Sequence, residues 1–434
     1  MIQHPPGPQW HASTQPIEDP GDLGSHLPTG GLAWLRRGDG MIGIGEVARF
    51  EGGTFAEAEE WWLDLVSRIS EPSVSLPCGP VGVVAFASFV FDAATTSQRS
   101  VLVVPKVVIG RRKGCSWITT IGPQAASDPD EATRAHRLVG LGETPPTAPK
   151  DVREVATNLT REQWQDIVEQ AVGRINSGEI DKVVLARGVT LETSGPLDGR
   201  WLVAELASRY PTCWTYFIEG LVGASPEMLI RREDGLATSR VLAGTIRRNP
   251  STGSGEPADE ELDLKLAHAL ARSGKNLIEH ELAVDSVARA LAPFCSGMNV
   301  PDAPYVLELP NVLHLASDVT AVAHPEVSAL RLAGELHPSA AVCGTPTPVA
   351  RQVIAELEHL DRGRYSGPVG WLDASGDGEF AIALRCGLLD AENPRRITIY
   401  AGCGIVSESD PAEEYAETEA KLMPMLEALG ASPS

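Results

Sequence analysis

The chain is 434 residues long, with 43% hydrophobic and 22% charged residues, an ordinary globular balance with length for two or three domains or one large unit. Its formal net charge of −22 disfavours nucleic acid and anionic membranes as partners, and an anionic substrate would need local cations to enter. Seven cysteines with no C-x-x-C pair and no metal-like spacing point to a reduced, cytoplasmic setting rather than a disulfide framework.

In chain order, residues 1–30 are rich in Pro, Gly and His, lack a charged segment followed by an apolar one, and read as a disordered tail without a signal peptide. Residues 32–50 read as strand, GDG turn, strand, after which Thr54 and Glu57 form a capping box that opens a helix to about Ser70. Strands follow near 81–91, 100–109 and 114–121. The first of these, VGVVAFASFVF, has 11 residues and is too short to span a bilayer. The polar stretch GETPPTAPKD (142–151) reads as a linker or long surface connection. Thr160 and Gln163 make a second capping box, and its helix stops at Ser177–Gly178. Strands are expected at 181–192, 213–218, 228–232, 236–242, 312–322, 369–373, 379–389 and 396–403, with helices near 258–291, 327–336, 347–358 and 411–429. Neighbouring strands joined by EDG (233–235) and SGDG (375–378) imply antiparallel sheets and an α+β fold.

Three places carry chemistry. In SDPAEEYAETEAKL, Asp410 caps a helix, Pro411 takes its first position, and Glu413 and Glu419 read as surface residues. Glu414, Glu417 and Lys421 share one helical face at spacings of three and four. Converging carboxylates suit a hard cation such as Mg²⁺, with SGKNLIEHELAV (273–284) as the facing acidic helix, from which Glu279 or Glu281, but not both, can point inward. Lys182 precedes Val183, Val184 and Leu185 in a strand, where lost hydration favours the neutral amine that a general base needs; the plain alternative is a strand-edge lysine reaching solvent. Glu227, in GASPEML, stands before Met228, Leu229 and Ile230, where apolar surroundings keep a carboxyl protonated for donation; the plain alternative is a solvated turn residue.

The segments DKVVLAR, GASPEML, LAGTIRR (242–248), SGKNLIEHEL, LHPSAAVCGTP (336–346), DRGRYSGPVGWLDASGDGEFAIALR (361–385) and AGCGIVSESDPAEEYAETEAKL (401–422) stand in the order seen in the Mg²⁺-dependent chorismate-utilising enzymes, the isochorismate, salicylate, anthranilate and aminodeoxychorismate synthases, which the chain resembles over about 160–428 and weakly over 31–150. The resemblance implies one chorismate-binding domain over 31–430, built as an α+β fold of two stacked antiparallel β-sheets with helices packed outside and the site in a cleft between them. It also implies Glu279 and Glu417 as Mg²⁺ ligands with Glu414 in support, Lys182 and Glu227 as base and acid, and Arg385, Tyr365, Gly402 and Lys421 around the enolpyruvyl carboxylate. Gly244, Thr245 and His314 would line the pocket.

Lysine at 182 resembles the water-using branches, because the ammonia-using branches usually carry glutamine there. Ala341 resembles the isochorismate form, where salicylate synthases tend to carry threonine. The resemblance thus favours an isochorismate synthase serving menaquinone or siderophore synthesis, with salicylate synthase as the alternative. It implies chorismate as the partner, no amidotransferase subunit, and a monomer. Two departures stand out: Asn276, where relatives often have an acid, and Cys403, where many have alanine and where the thiol is a possible point of oxidation.

Overall fold

Runs of β-branched and aromatic residues broken by glycine turns dictate strands here, and the computed structural model shows how they assemble. It describes residues 10–70, 82–123, 144–247, 260–308 and 312–431, without the side chains of Pro123, Thr245, Arg247, Glu260, Asp263, Lys275, Glu279 and Val312. Among these residues two large sheets form, one of 13 strands and one of 10. The middle of the first runs Lys182–Glu192, Arg396–Ile405, Cys386–Leu389, Leu221–Ser225, Trp214–Ile218, Leu32–Arg36 and Asp39–Ile44. The middle of the second runs Val312–Ala323, Leu236–Arg247, Met228–Glu233, Gly378–Ile382, Pro368–Asp373 and Val84–Ser88. All pairings among the described strands are antiparallel except Trp10–Pro16 with Ile69–Ser70.

The sheets stack on their apolar faces: Trp34, Met41 and Trp117 of the first share a buried cluster with Phe86, Trp371 and Ala381 of the second. Helices cover the outer faces. Pro411–Ala428 and Gly199–Arg209 pack on the first sheet, and Gly274–Leu291 and Ala329–Leu336 on the second. Both expected capping boxes are present, at Thr54 with Glu57 and at Thr160 with Gln163.

Two of the connections that pass from one sheet to the other frame the site. The chain leaves Leu221–Ser225 in the first sheet and enters Met228–Glu233 in the second through Pro226–Glu227. It returns from Gly378–Ile382 to Cys386–Leu389 through Arg385, a non-glycine residue held at φ +50°. Backbone hydrogen bonds tie the crossings together: Ala224 N donates to Arg385 O at 3.2 Å, and Ile382 N to Glu227 O at 3.1 Å.

Three expectations are corrected. Residues 10–16 are not a disordered tail but a strand paired along its length with Cys115–Pro123, because Ala12 and Thr14 alternate inward from an otherwise polar sequence; residues 1–9 lie outside the described set. The single helix expected over 258–291 is two, Glu260–Ala271 and Gly274–Leu291, because Ser273 caps the second by accepting from Asn276 N. The strand expected over 379–389 is broken by the crossing at Arg385.

Candidate active site

A cavity of about 170 Å³ opens where the two crossings meet. It is lined by Lys182, Glu227, Gly244, His314, Ala341, Tyr365, Arg385, Gly402, Glu414, Glu417 and Lys421, so eleven of the thirteen expected site residues come together there. The other two, Thr245 and Glu279, have side chains outside the described set. Thr245 sits on the strand register opposite His314, and Glu279 lies one turn beyond the cavity-lining Asn276 on the Gly274–Leu291 helix. Glu281, the other candidate on that helix, is exposed.

Glu227 reaches the cavity because Ser-Pro ends one strand and the chain turns into the next sheet; Ser225 Oγ accepts from Glu227 N at 3.2 Å. Burial raises its carboxyl to about 7, against the opposing pull of Lys182, Lys421 and Arg385. It is therefore substantially protonated near neutral pH and ringed by cations. Lys182, half-buried at the start of its strand, comes from the first sheet, and its β-bridge to Thr345 fixes where the stem leaves the backbone.

Gly244 forms a bulge between Ala243 and Thr245 at φ +79°, and a Cβ there would lie 3.0 Å from Asn276 Cβ. Only glycine adopts that backbone at little cost with a helix so near. Buried His314 donates to the Gly244 carbonyl, and burial, with Arg385 and Lys421 adding to it, lowers its pKa to about 3. It is a neutral hydrogen-bonding group at physiological pH. Gly402 is equally constrained: a Cβ would lie 2.6 Å from Leu185 O and 3.1 Å from Tyr365 Oη. Tyr365 stacks on Tyr400 with ring centroids 5.0 Å apart.

On the Pro411–Ala428 helix, Asp410 accepts from Ala412 N and Glu413 N, as its capping role requires. Lys421 Nζ donates to Gly402 O at 2.8 Å and contacts Glu417 Oε1 at 2.6 Å. Burial alone would raise the Glu417 carboxyl, but Lys421, with Arg385 behind it, holds it below the usual range. Glu414 moves the other way, raised by burial and then by the charge of Glu417. Glu413 is exposed as expected, whereas Glu419 is an ion partner of the buried Arg187, which also donates to Thr418 Oγ1 at 2.8 Å and lies over Tyr415. Cys403 is buried and its thiol is pushed up by burial and by Glu414, so it is a poor nucleophile rather than an oxidation-prone one.

Sequence reasoning missed an ion pair whose arginine, Arg362, lines the cavity and whose acid lies behind it. Glu358 and Arg362, both fully buried, meet through two hydrogen bonds of 2.7 and 2.6 Å. Arg362 also donates to Val342 O and Val184 O, and Glu358 accepts from Ala186 N at 2.9 Å, so the pair binds the strand of Lys182 to the loop of Ala341. An acid and an arginine four apart at a helix end was the available signal, and on a surface helix it is commonplace.

Among the described residues no group of three His, Cys, Asp or Glu side chains is disposed to hold a metal. The pair that is described, Glu414 and Glu417, offers only oxygen donors, and the charge of one raises the other. That donor set fits a hard divalent cation.

Two stacked sheets, with an acid, a lysine and carboxylates gathered where the chain passes between them, form a cleft lined for acid–base chemistry. The chain belongs to the family described as chorismate binding enzyme, whose profile matches residues 34–430. Isochorismate synthase MenF of Bacillus subtilis is 37% identical over 279 residues, covering 63% of this chain and 57% of that protein. Isochorismate synthase EntC of Escherichia coli is 32% identical over 373 residues, covering 84% of this chain and 90% of that protein. The solved structure of MenF, the menaquinone-specific isochorismate synthase of Escherichia coli, shares the fold with a TM-score of 0.80 at 24% identity, covering 99% of this chain and 96% of that one.

Proposed function

We propose that this protein is an isochorismate synthase, which adds water at C2 of chorismate and removes the C4 hydroxyl as the ring double bonds shift. The observation that carries the reading is that Lys182, on a strand of the first sheet, and Glu227, on the connection between the sheets, line one cavity in which the glutamate is raised to about 7. Lys182 takes a proton from the attacking water, and Glu227 gives its proton to the departing hydroxyl, each transfer contributing about 10²–10⁴-fold. Arg385, Tyr365, Lys421 and the backbone at Gly402 hold the enolpyruvyl carboxylate, which a planar guanidinium meets with two hydrogen bonds. Gly244, Thr245 and neutral His314 shape the opposite wall.

Glu417 and Glu414, with Glu279 from the helix that reaches the cavity through Asn276, would hold a Mg²⁺ ion. When bound, the ion neutralises and fixes the ring carboxylate of the substrate, help that a chain of net charge −22 needs. Ala341 lines the same cavity and supports isochorismate, rather than salicylate, as the end point.

Incubating the purified chain alone with chorismate and Mg²⁺, then resolving products by chromatography and NMR, tests the reading. Isochorismate without pyruvate is the expected product. Salicylate with pyruvate would make it a salicylate synthase, an aminated product formed only with ammonia would make it a synthase subunit, and intact chorismate would refute all three.

A further inference from the structure

The Lys182–Glu192 strand carries chemistry on both of its faces. Side chains alternate along it: Lys182 and Val184 line the cleft, whereas Val183, Leu185 and Val189 pack under the covering helices. Arg187 falls on the helix side, opposite Ala401 in the register, and is 3% exposed. A buried guanidinium stays charged and must find partners. Those of Arg187 include three on the Pro411–Ala428 helix: Nε donates to Thr418 Oγ1 at 2.8 Å, Nη2 pairs with Glu419, and the group lies 4.5 Å from the centre of the Tyr415 ring. Arg161, at the start of the Arg161–Asn176 helix, lies over the same ring at 5.3 Å.

Tyr415, Thr418, Leu422 and Met425 follow one another at spacings of three and four and form the stripe laid on the sheet, with the last three buried. Glu414, Glu417 and Lys421 repeat that spacing one residue earlier, a stripe turned by about 100° that lines the cleft. Whatever fixes the first stripe therefore fixes the second. Leu422 and Met425 do not suffice, because apolar contact is non-directional and a helix that slipped would still bury them. The contacts of Arg187 are directional. Thr418 Oγ1 gives its one proton to Tyr415 O at 2.6 Å, which leaves its lone pairs turned to the guanidinium.

We propose, on the proposed roles of Glu414, Glu417 and Lys421 as metal and substrate groups, that Arg187 is a positioning residue for the cleft: it holds the rotation and register of the Pro411–Ala428 helix and so aims that trio. One strand then sets the base on its inner face and the carboxylate helix on its outer face.

Arg187→Met, Arg187→Lys and Thr418→Val, with the exposed Glu413→Gln as control, test the grip in the full chain. Methionine fills the space, Thr418 keeps its bond to Tyr415 O, and the half-exposed Glu419 hydrates, so the melting temperature of Arg187→Met should stay close to the native one. Its KM for chorismate should rise about tenfold or more, because a misplacement of about 1 Å is enough for that. The rise should be smaller in Thr418→Val and in Arg187→Lys, which keeps the charge without the fork, and absent in Glu413→Gln. Amide hydrogen exchange over residues 414–421 should quicken in step with KM while the rest of the chain keeps its native rates. A merely structural role predicts a lower melting temperature, less active enzyme and an unchanged KM. That pattern, or in an active chain either quickened exchange or raised KM without the other, would overturn the proposal; should Arg187→Met not fold, Thr418→Val carries the same comparison. A native chain that leaves chorismate intact would sink the functional reading by itself, and unchanged exchange over 414–421 would still overturn the grip.

Discussion

Glu227 is the group on which pH acts. Its carboxyl is raised to about 7 by burial, and its proposed task requires the proton. The protonated fraction is therefore full below that value and is lost as pH rises through it, so kcat should decline through a one-proton limb near pH 7. Glu227→Gln should lower turnover by about 10²–10⁴-fold and abolish that limb, while chorismate still binds in calorimetry. A variant that keeps the limb would assign it to another group. Gly402→Ala tests the wall in a different way. The added methyl would press on Leu185 O and Tyr365 Oη, so KM should rise well beyond any change in kcat, at a stability loss of about 1–3 kcal/mol read from thermal unfolding. The burial of Lys182 and Glu227 was legible in the sequence because each stands at the head of an apolar run, which is a costly place for an ionisable group. Arg385 was less so: nothing in FAIALRCGLL marks a left-handed residue, since the conformation is imposed by the two sheets it joins.

Elements were legible where local chemistry decides them and obscure where packing does. The caps at Thr54, Thr160 and Asp410 are side-chain contacts over three or fewer residues, and all three are present. The strand Trp10–Pro16 was hidden because its outward residues are polar, leaving only Ala12 and Thr14 to report the core. The wall around Lys182 depends on a contact of the second kind, the buried Glu358–Arg362 pair that joins the Lys182–Glu192 strand to the Ala341 loop. Arg362→Leu strands the Glu358 carboxylate in the interior, and stability should fall by about 3–5 kcal/mol in urea unfolding. Glu358→Leu combined with Arg362→Leu removes both charges and should recover part of that loss, though not the activity, because Val342 O and Val184 O still lack their donor. A double variant less stable than Arg362→Leu alone would mean the pair contributes net attraction rather than positioning.

At the scale of the whole molecule, the resemblance in the sequence was concentrated beyond residue 160, yet the hydrogen-bonding does not divide there. Leu32–Arg36 pairs with Trp214–Ile218 in the interior of the first sheet, and Val84–Ser88 pairs with Pro368–Asp373 in the interior of the second. Among the described residues the N-terminal third carries no cleft residue, so chemistry could not mark its importance; its contribution is to complete sheets whose other strands carry the site. A chain beginning at Thr144 would turn both partner strands into edges and expose the faces that bury Tyr216, Trp214 and Leu372, an arrangement prone to strand addition and aggregation. Such a fragment should form aggregates, or lack a native near-UV circular dichroism spectrum, even though it retains every residue proposed for catalysis. A monomeric fragment with the native spectrum and a cooperative melt would show that the later strands close their sheets without help.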